Sequence, residues 1–254
     1  MKKSLLGAAI ALLSSTVVYA QDYQFEVGGD YISAESMGID VNGFGLNAQL
    51  HLDKVETSKG PLNEASFLDK SSFVSVAWAT AKADQAGAES TDSFGFGGQF
   101  VTAENIIIQA NYLDLENDSA IGFGVGTYLK ENLAAVVSYQ TYDEAELSRF
   151  SADIHGVDKL KGETSLGYDL GLAFLDSNGE SAYNFSVGAD YYLNNKLSIG
   201  AGLALLTADN YDETTVALRA NYFVTPIAKV GASLTTLGQD GDGQAIQFSA
   251  AVRF

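Results

Sequence analysis

The chain alternates apolar and polar residues with period two, and it keeps doing so to its last atom. Ile246, Phe248, Ala250, Val252 and Phe254 fall on one phase, and Gln247, Ser249, Ala251 and Arg253 on the other. An extended strand sends successive side chains to opposite faces, so one face of this segment is oily and ends on an aromatic ring. The same pattern recurs upstream. Phe44, Leu46, Ala48, Leu50 and Leu52 alternate with Gly45, Asn47, Gln49 and His51, and Tyr183, Phe185, Val187, Ala189 and Tyr191 alternate with Asn184, Ser186, Gly188 and Asp190. Leu197 to Leu205 and Leu166 to Phe174 repeat it. At the start, Tyr23, Phe25, Val27, Gly29 and Tyr31 share one phase, with Gln24, Glu26, Gly28 and Asp30 on the other. So many two-faced strands must hide their oily side in a sandwich core or against lipid.

The N-terminus favours lipid. Lys2 and Lys3 precede an apolar run from Leu5 to Leu13, and Val18-Tyr19-Ala20 supplies a cleavage signature. The segment 1–20 therefore reads as a secretory signal peptide cleaved after Ala20, with one domain over 21–254; the run is short for a membrane anchor, which needs about 20 residues. No cysteine is present, so no disulfide assists the fold in an oxidising compartment. Removing Lys2 and Lys3 from the 14 basic residues, against 32 acidic ones, takes the formal charge from −18 to about −20. Nucleic acid is a poor partner for such a chain.

About fourteen segments alternate in this way, with twelve to sixteen compatible, most near the ~9–11 residues that cross a bilayer at a tilt. The expected fold is all-β: a transmembrane antiparallel up-and-down β-barrel, closed because an open edge in lipid would strand backbone hydrogen-bonding groups. An even count puts both termini on the periplasmic side. Tyr23, Tyr31, Tyr112, Tyr183, Tyr191 and Tyr222 lie near strand ends and suit interfacial girdles, although some could line the pore.

Charge sorts by the same frame. The connections expected outside, at 33–38, 83–93, 114–119, 143–146, 176–180, 207–213 and 238–244, carry acids and no Lys or Arg. Asp84, Glu89, Asp143, Glu144, Asp209, Asp212, Asp240 and Asp242 form a candidate acidic vestibule that would gather cations. A merely solvated face is the competing explanation. Asp240-Gly241-Asp242-Gly243 echoes a calcium loop but lacks its further ligands. Within strands, Glu26, Asp30, Arg149, Asp153, His155, Asp169, Asp190, Arg219, Lys229 and Arg253 all take the phase opposite the oily face. A lipid-facing Arg or Lys costs about 2–4 kcal/mol at the midplane, so these are candidate lumen-lining residues. They either build a selectivity constriction or pair off to fill a narrow interior.

The signal peptide, the alternating strands and Phe254 resemble Gram-negative porins, and the stretch Val55 to Asp69 is similar to one found in small putative general bacterial porins. The resemblance implies passive diffusion of small solutes. The chain is shorter than a 16-strand trimeric porin, and no outer loop is long enough to fill a wide pore. Residues 53–70 are too long for a tight inner turn: Pro61 could open a short helix carrying Leu62, Ala65 and Leu68 that enters the lumen, or the segment could extend its flanking strands. Asp153, His155 and Ser151 share a face, but strand spacing alone does not make a catalytic triad, and no enzyme is expected. Two histidines and no cysteine make a transition-metal site improbable, and no cofactor is expected.

The expected protein is thus an outer-membrane porin, embedded in lipid and lipopolysaccharide, passing small hydrophilic solutes with a preference for cations. A homo-oligomer is compatible with it. The rival is a structural or adhesive barrel with a plugged lumen.

Overall fold

A computed structural model describes residues 22–36, 38–209, 211–237 and 243–254. The signal segment 1–20, Asp240 and Asp242 lie outside these residues.

Fourteen antiparallel strands form a closed barrel in sequence order: β1 (Tyr23–Ser36), β2 (Ile39–Val55), β3 (Phe73–Ala83), β4 (Ser90–Val101), β5 (Ile106–Leu115), β6 (Asp118–Lys130), β7 (Leu133–Tyr142), β8 (Leu147–Lys159), β9 (Ser165–Ser177), β10 (Glu180–Tyr192), β11 (Leu197–Ala208), β12 (Tyr211–Thr225), β13 (Ala228–Leu237) and β14 (Gly243–Arg253). β14 closes the wall on β1, from Glu26 opposite Arg253 to Glu35 opposite Gln244. The seam continues past the strand: Phe254 N–H donates to Phe25 O, and Gln24 N–H donates to Phe254 O at 2.7 Å. Among the described residues the ladder closes with no free backbone edge for lipid, as an apolar solvent demands.

The strand ends sort into two sets. The base holds both described termini, the turns at 102–105, 131–132, 160–164, 193–196 and 226–227, and the long segment 56–72. Among the described residues the rim holds 38, 84–89, 116–117, 143–146, 178–179 and 209. Strands run longer than a bilayer crossing requires, up to 17 residues in β2. The rim connections are correspondingly shorter than expected, and Glu35, Asp92, Asp114, Asp118, Asp176, Glu180, Asp212 and Glu213 lie on strand ends. Consecutive antiparallel strands keep pairing as long as backbone partners face each other, so the ladder runs on through polar sequence above the lipid.

Large apolar side chains occupy the outward phase, including Leu46, Trp78, Phe96, Phe123, Val125, Leu172, Leu218 and Phe248. Tyr31, Tyr112, Tyr183, Tyr191 and Tyr222 are outward too. Tyr23 is not: it is 2% exposed and packs inside the base. The pairing of β1 with β2 slips between Tyr23 and Phe25. A bulge adds a residue to one strand and flips the phase beyond it, which strict alternation does not anticipate.

Glycine has a specific place in this wall. Asp30 faces Gly45, Asp153 faces Gly171 and Asp190 faces Gly200 across the ladder. A Cβ on any of the three would collide with the carboxylate opposite. Each acid lies flat over a bare glycine, so the wall carries charge without filling the interior. Asn111 on Gly122 and Asn47 on Gly28 repeat the device.

Candidate functional site in the barrel interior

The β2–β3 connection does not stay at the base as a turn. Pro61 caps a 3₁₀ turn, Leu62–Glu64, followed by a single α-turn, Ala65–Leu68 (α1). Pro suits this entry because its fixed φ and missing N–H cost nothing at a helix start. The turn ends in a Schellman arrangement: Ser71 N–H donates to Ser66 O, and Lys70 N–H donates to Phe67 O, both at 3.0 Å. Lys70 takes the left-handed conformation, φ 54°, that glycine usually supplies there. Its ammonium group reaches Asn105 Oδ1 at 2.8 Å and Glu131 at 2.9 Å, tying the helix end to two base turns.

The inlet is bound to wall strands around the barrel. Leu62 N–H donates to Asn195 O, and Leu62 O accepts from Arg253 Nη1, both at 2.8 Å. Asn63 Oδ1 accepts from Lys229 at 3.3 Å. Glu64 is buried; it accepts from the Tyr192 hydroxyl and lies 3.0 Å from His155 Nε2. Ala65 packs with Tyr23 and Val55. Phe67 packs on the cluster Ile107, Tyr128 and Ala134, and its carbonyl accepts from the Tyr128 hydroxyl. Ser71 sits 2.6 Å from His51 Nδ1. Of the two alternatives for residues 53–70, the chain uses both in part: β2 runs on to Val55, and the rest enters the interior.

Where the inlet leaves β2, Lys59 bridges Asp69 and Glu56. Its hydrogen bond to the Asp69 carboxylate holds the Lys59 ammonium above its ordinary pKa.

The candidate charges on the inner phase fall into two groups. Arg253 pairs with Glu26, and its guanidinium stacks over Tyr23 and Phe223 at 4.4 and 4.7 Å. Arg219 makes a forked contact with Asp190, 2.6 Å from Nη2 and 2.9 Å from Nε, and lies 3.8 Å from Asp169. Lys229 approaches the inlet. By contrast, the partners of Asp30 and Asp153 are neutral donors, Gln247 Nε2 at 3.3 Å and Ser151 Oγ at 2.7 Å. Arg149 is exposed near the rim end of β8, opposite Gln140. His155 places Nδ1 2.6 Å from Asp169 and Nε2 on Glu64. Both ring nitrogens are thus committed to carboxylates, while Ser151 donates to Asp153. Ser151, Asp153 and His155 share a face without forming a nucleophile–base pair.

At the rim, Asp84, Glu89, Asp143, Glu144, Asp209 and Asp212 are exposed. Asp118 is structural instead. It accepts from Glu144 N–H at 2.8 Å and Ala145 N–H at 3.3 Å, stapling two rim connections. Among the described residues no group of three or more His, Cys, Asp or Glu is arranged to hold a metal.

The model of one family, described as a putative general bacterial porin, matches residues 1–159. The chain belongs to that family. The porin's fold agrees with solved outer-membrane barrels. The crystal structure of outer membrane protein Omp33 from Acinetobacter baumannii superposes with a TM-score of 0.75 at 26% identity, covering 93% of this chain and 100% of that one. A bacterial polysaccharide outer membrane secretin gives 0.54 at 11% identity over 91% and 99% of the two chains. The low-pH structure of OprB from Pseudomonas putida gives 0.50 at 10% over 100% and 98%. The last two share the fold alone. No curated protein matches the chain.

Tyr192, Tyr128, Phe223 and Glu64, which join the candidate charges in the interior, are not among the residues the sequence pattern singled out. Tyr192 and Phe223 follow outward tyrosines, so period two already put them inside. Glu64 lies in no strand and carries no periodic signal.

Proposed function

We propose that this porin forms a water-filled outer-membrane channel for passive diffusion of small hydrophilic solutes, with a preference for cations and without catalysis. The observation that carries the cation preference is the sign balance of the named inner charges: with Glu64 of the inlet, the carboxylates Glu26, Asp30, Asp153, Asp169 and Asp190 outnumber the cations Arg149, Arg219, Lys229 and Arg253. Asp30 and Asp153 accept from the neutral Gln247 and Ser151, as Lys229 donates to the neutral Asn63. The exposed acids at the rim add a field of the same sign, which focuses cations at the mouth. The base end, with both described termini, then faces the periplasm, and cleavage after Ala20 would release the mature chain.

Purified protein in a planar bilayer under a KCl gradient tests this. Stepwise conductance with a reversal potential toward K⁺ is expected. Anion preference would refute the electrostatic reasoning.

A second reading has its own observation. The inlet at 56–72 crosses the base of the barrel and bonds to strands around it, as a plug in a structural or adhesive barrel would. Folded wild-type protein that never conducts would favour it.

A further inference from the structure

Two cavities flank the inlet along one stretch of wall. The upper cavity, about 390 Å³, has Phe67 of the inlet facing Ser138, Asp153, His155 and Asp169 of β7–β9. The lower cavity, about 460 Å³, opens at the base and has Leu68 facing Asn132, Val157, Lys159 and Ser165. Val157 lies two residues from His155 on one strand, so the two face the same side, one per cavity. On the inlet, Phe67 and Leu68 are adjacent residues that serve opposite cavities. The partition is therefore about one side chain thick.

Elsewhere the inlet is sealed more firmly. On the β14 side the Leu62 backbone carbonyl is held by the buried Arg253, and at β10–β11 the Leu62 N–H is bonded to the Asn195 carbonyl. On the β1–β2 side, Ala65 is packed in an apolar cluster with Tyr23 and Val55. Against β8 the partition rests on side chains alone: the Glu64 contact with His155, and the Phe67 ring edge-on to the His155 ring at 4.3 Å. Side-chain contacts open by rotamer changes, on timescales far shorter than displacement of hydrogen-bonded backbone.

We propose that solutes cross the base along this seam, between the inlet helix and β7–β9, and that the Phe67–His155 contact is its narrowest point. The inference rests on the channel function proposed above and adds to it the route. The chain has no cysteine, so each introduced thiol is unique and can be modified after the barrel has folded and inserted. Ser138→Cys marks the upper cavity, Ser165→Cys the lower one, and Ser249→Cys the opposite wall on β14. The probe is a methanethiosulfonate reagent carrying a trimethylammonium group, added to conducting channels. Modification of the Ser138→Cys and Ser165→Cys variants is expected to cut the current at least about twofold, and modification of Ser249→Cys to leave it nearly unchanged, because a charge and bulk placed in a constriction act far more strongly than in a wide vestibule. Phe67→Ala is expected to raise the conductance several-fold. Conducting channels whose current responds in Ser249→Cys but in neither Ser138→Cys nor Ser165→Cys would overturn the route. Folded protein that conducts in no variant would overturn the channel function itself, a result the first outcome does not resemble.

Discussion

Arg253 should be the most costly single side chain to lose from the inner wall. It is 5% exposed, pairs with Glu26, holds the inlet through Leu62 O at 2.8 Å, and stacks on Tyr23 and Phe223. Arg253→Met leaves Glu26, itself 19% exposed, without its counter-ion. Stranding one member of a buried pair costs about 3–5 kcal/mol. Water within the barrel places this case at the lower end, about 3 kcal/mol, or roughly a hundredfold in the folding equilibrium. Glu26→Gln should cost a similar amount, since it strands the guanidinium. The double variant Glu26→Gln/Arg253→Met should cost much less than the sum, with a coupling of about 2 kcal/mol. Arg253→Lys keeps the charge but cannot fork to Glu26 and Leu62 O together, so about 1–2 kcal/mol should still be lost. Urea unfolding from lipid vesicles measures all four, and the chain supplies its own reporter: its one tryptophan, Trp78, is outward and leaves lipid on unfolding. A single variant within about 0.5 kcal/mol of wild type, or costs that simply add, would refute a paired role for Arg253.

Three other outcomes follow from the same geometry. Val125→Arg should destabilise by about 2–4 kcal/mol while Ser138→Arg is tolerated, because the first points to lipid and the second to the interior; equal costs in the vesicle assay would contradict the assigned faces. Gly200→Val should force Asp190 off Arg219 and cost about 1–3 kcal/mol, whereas an unchanged urea midpoint would show that the carboxylate has room to move. Lys59, held by Asp69, has a raised pKa, so its contribution is complete below the unfolded value of about 10.4 and fades as pH climbs through the raised folded one. The contribution is small because the side chain is 42% exposed. Lys59→Met should therefore flatten the alkaline end of a stability–pH profile and leave neutral pH almost unchanged. A steeper acidic limb instead would reverse that sign.

The barrel was legible because period two is a local signal. Each stretch such as Tyr183 to Tyr191 declares its two faces without reference to any neighbour, and the charges Asp190, Arg219 and Arg253 take the inner face on that basis alone. Tyr23 shows where the signal stops. One bulge reverses its side, and the reason lies in the pairing of β1 with β2. The rim acids show a second limit. Their signs were readable, but Asp118 binds backbone across two connections, which composition cannot reveal.

The inlet was legible only as an anomaly: too long for a turn, with Pro61 placed to start a helix. What it does was decided by contacts far apart in the chain. Glu64 meets Tyr192 across 128 residues, and Leu62 meets Arg253 across 191. The sequence by itself determined that every strand has an oily face and a polar one, since alternation is a property of each strand alone. Only the closed barrel decided that the acids lie over glycines, that Arg253 and Lys229 grip the inlet, and that the seam beside β7–β9 is sealed by side chains. Those facts depend on which strands become neighbours around the ring, and no local pattern encodes that.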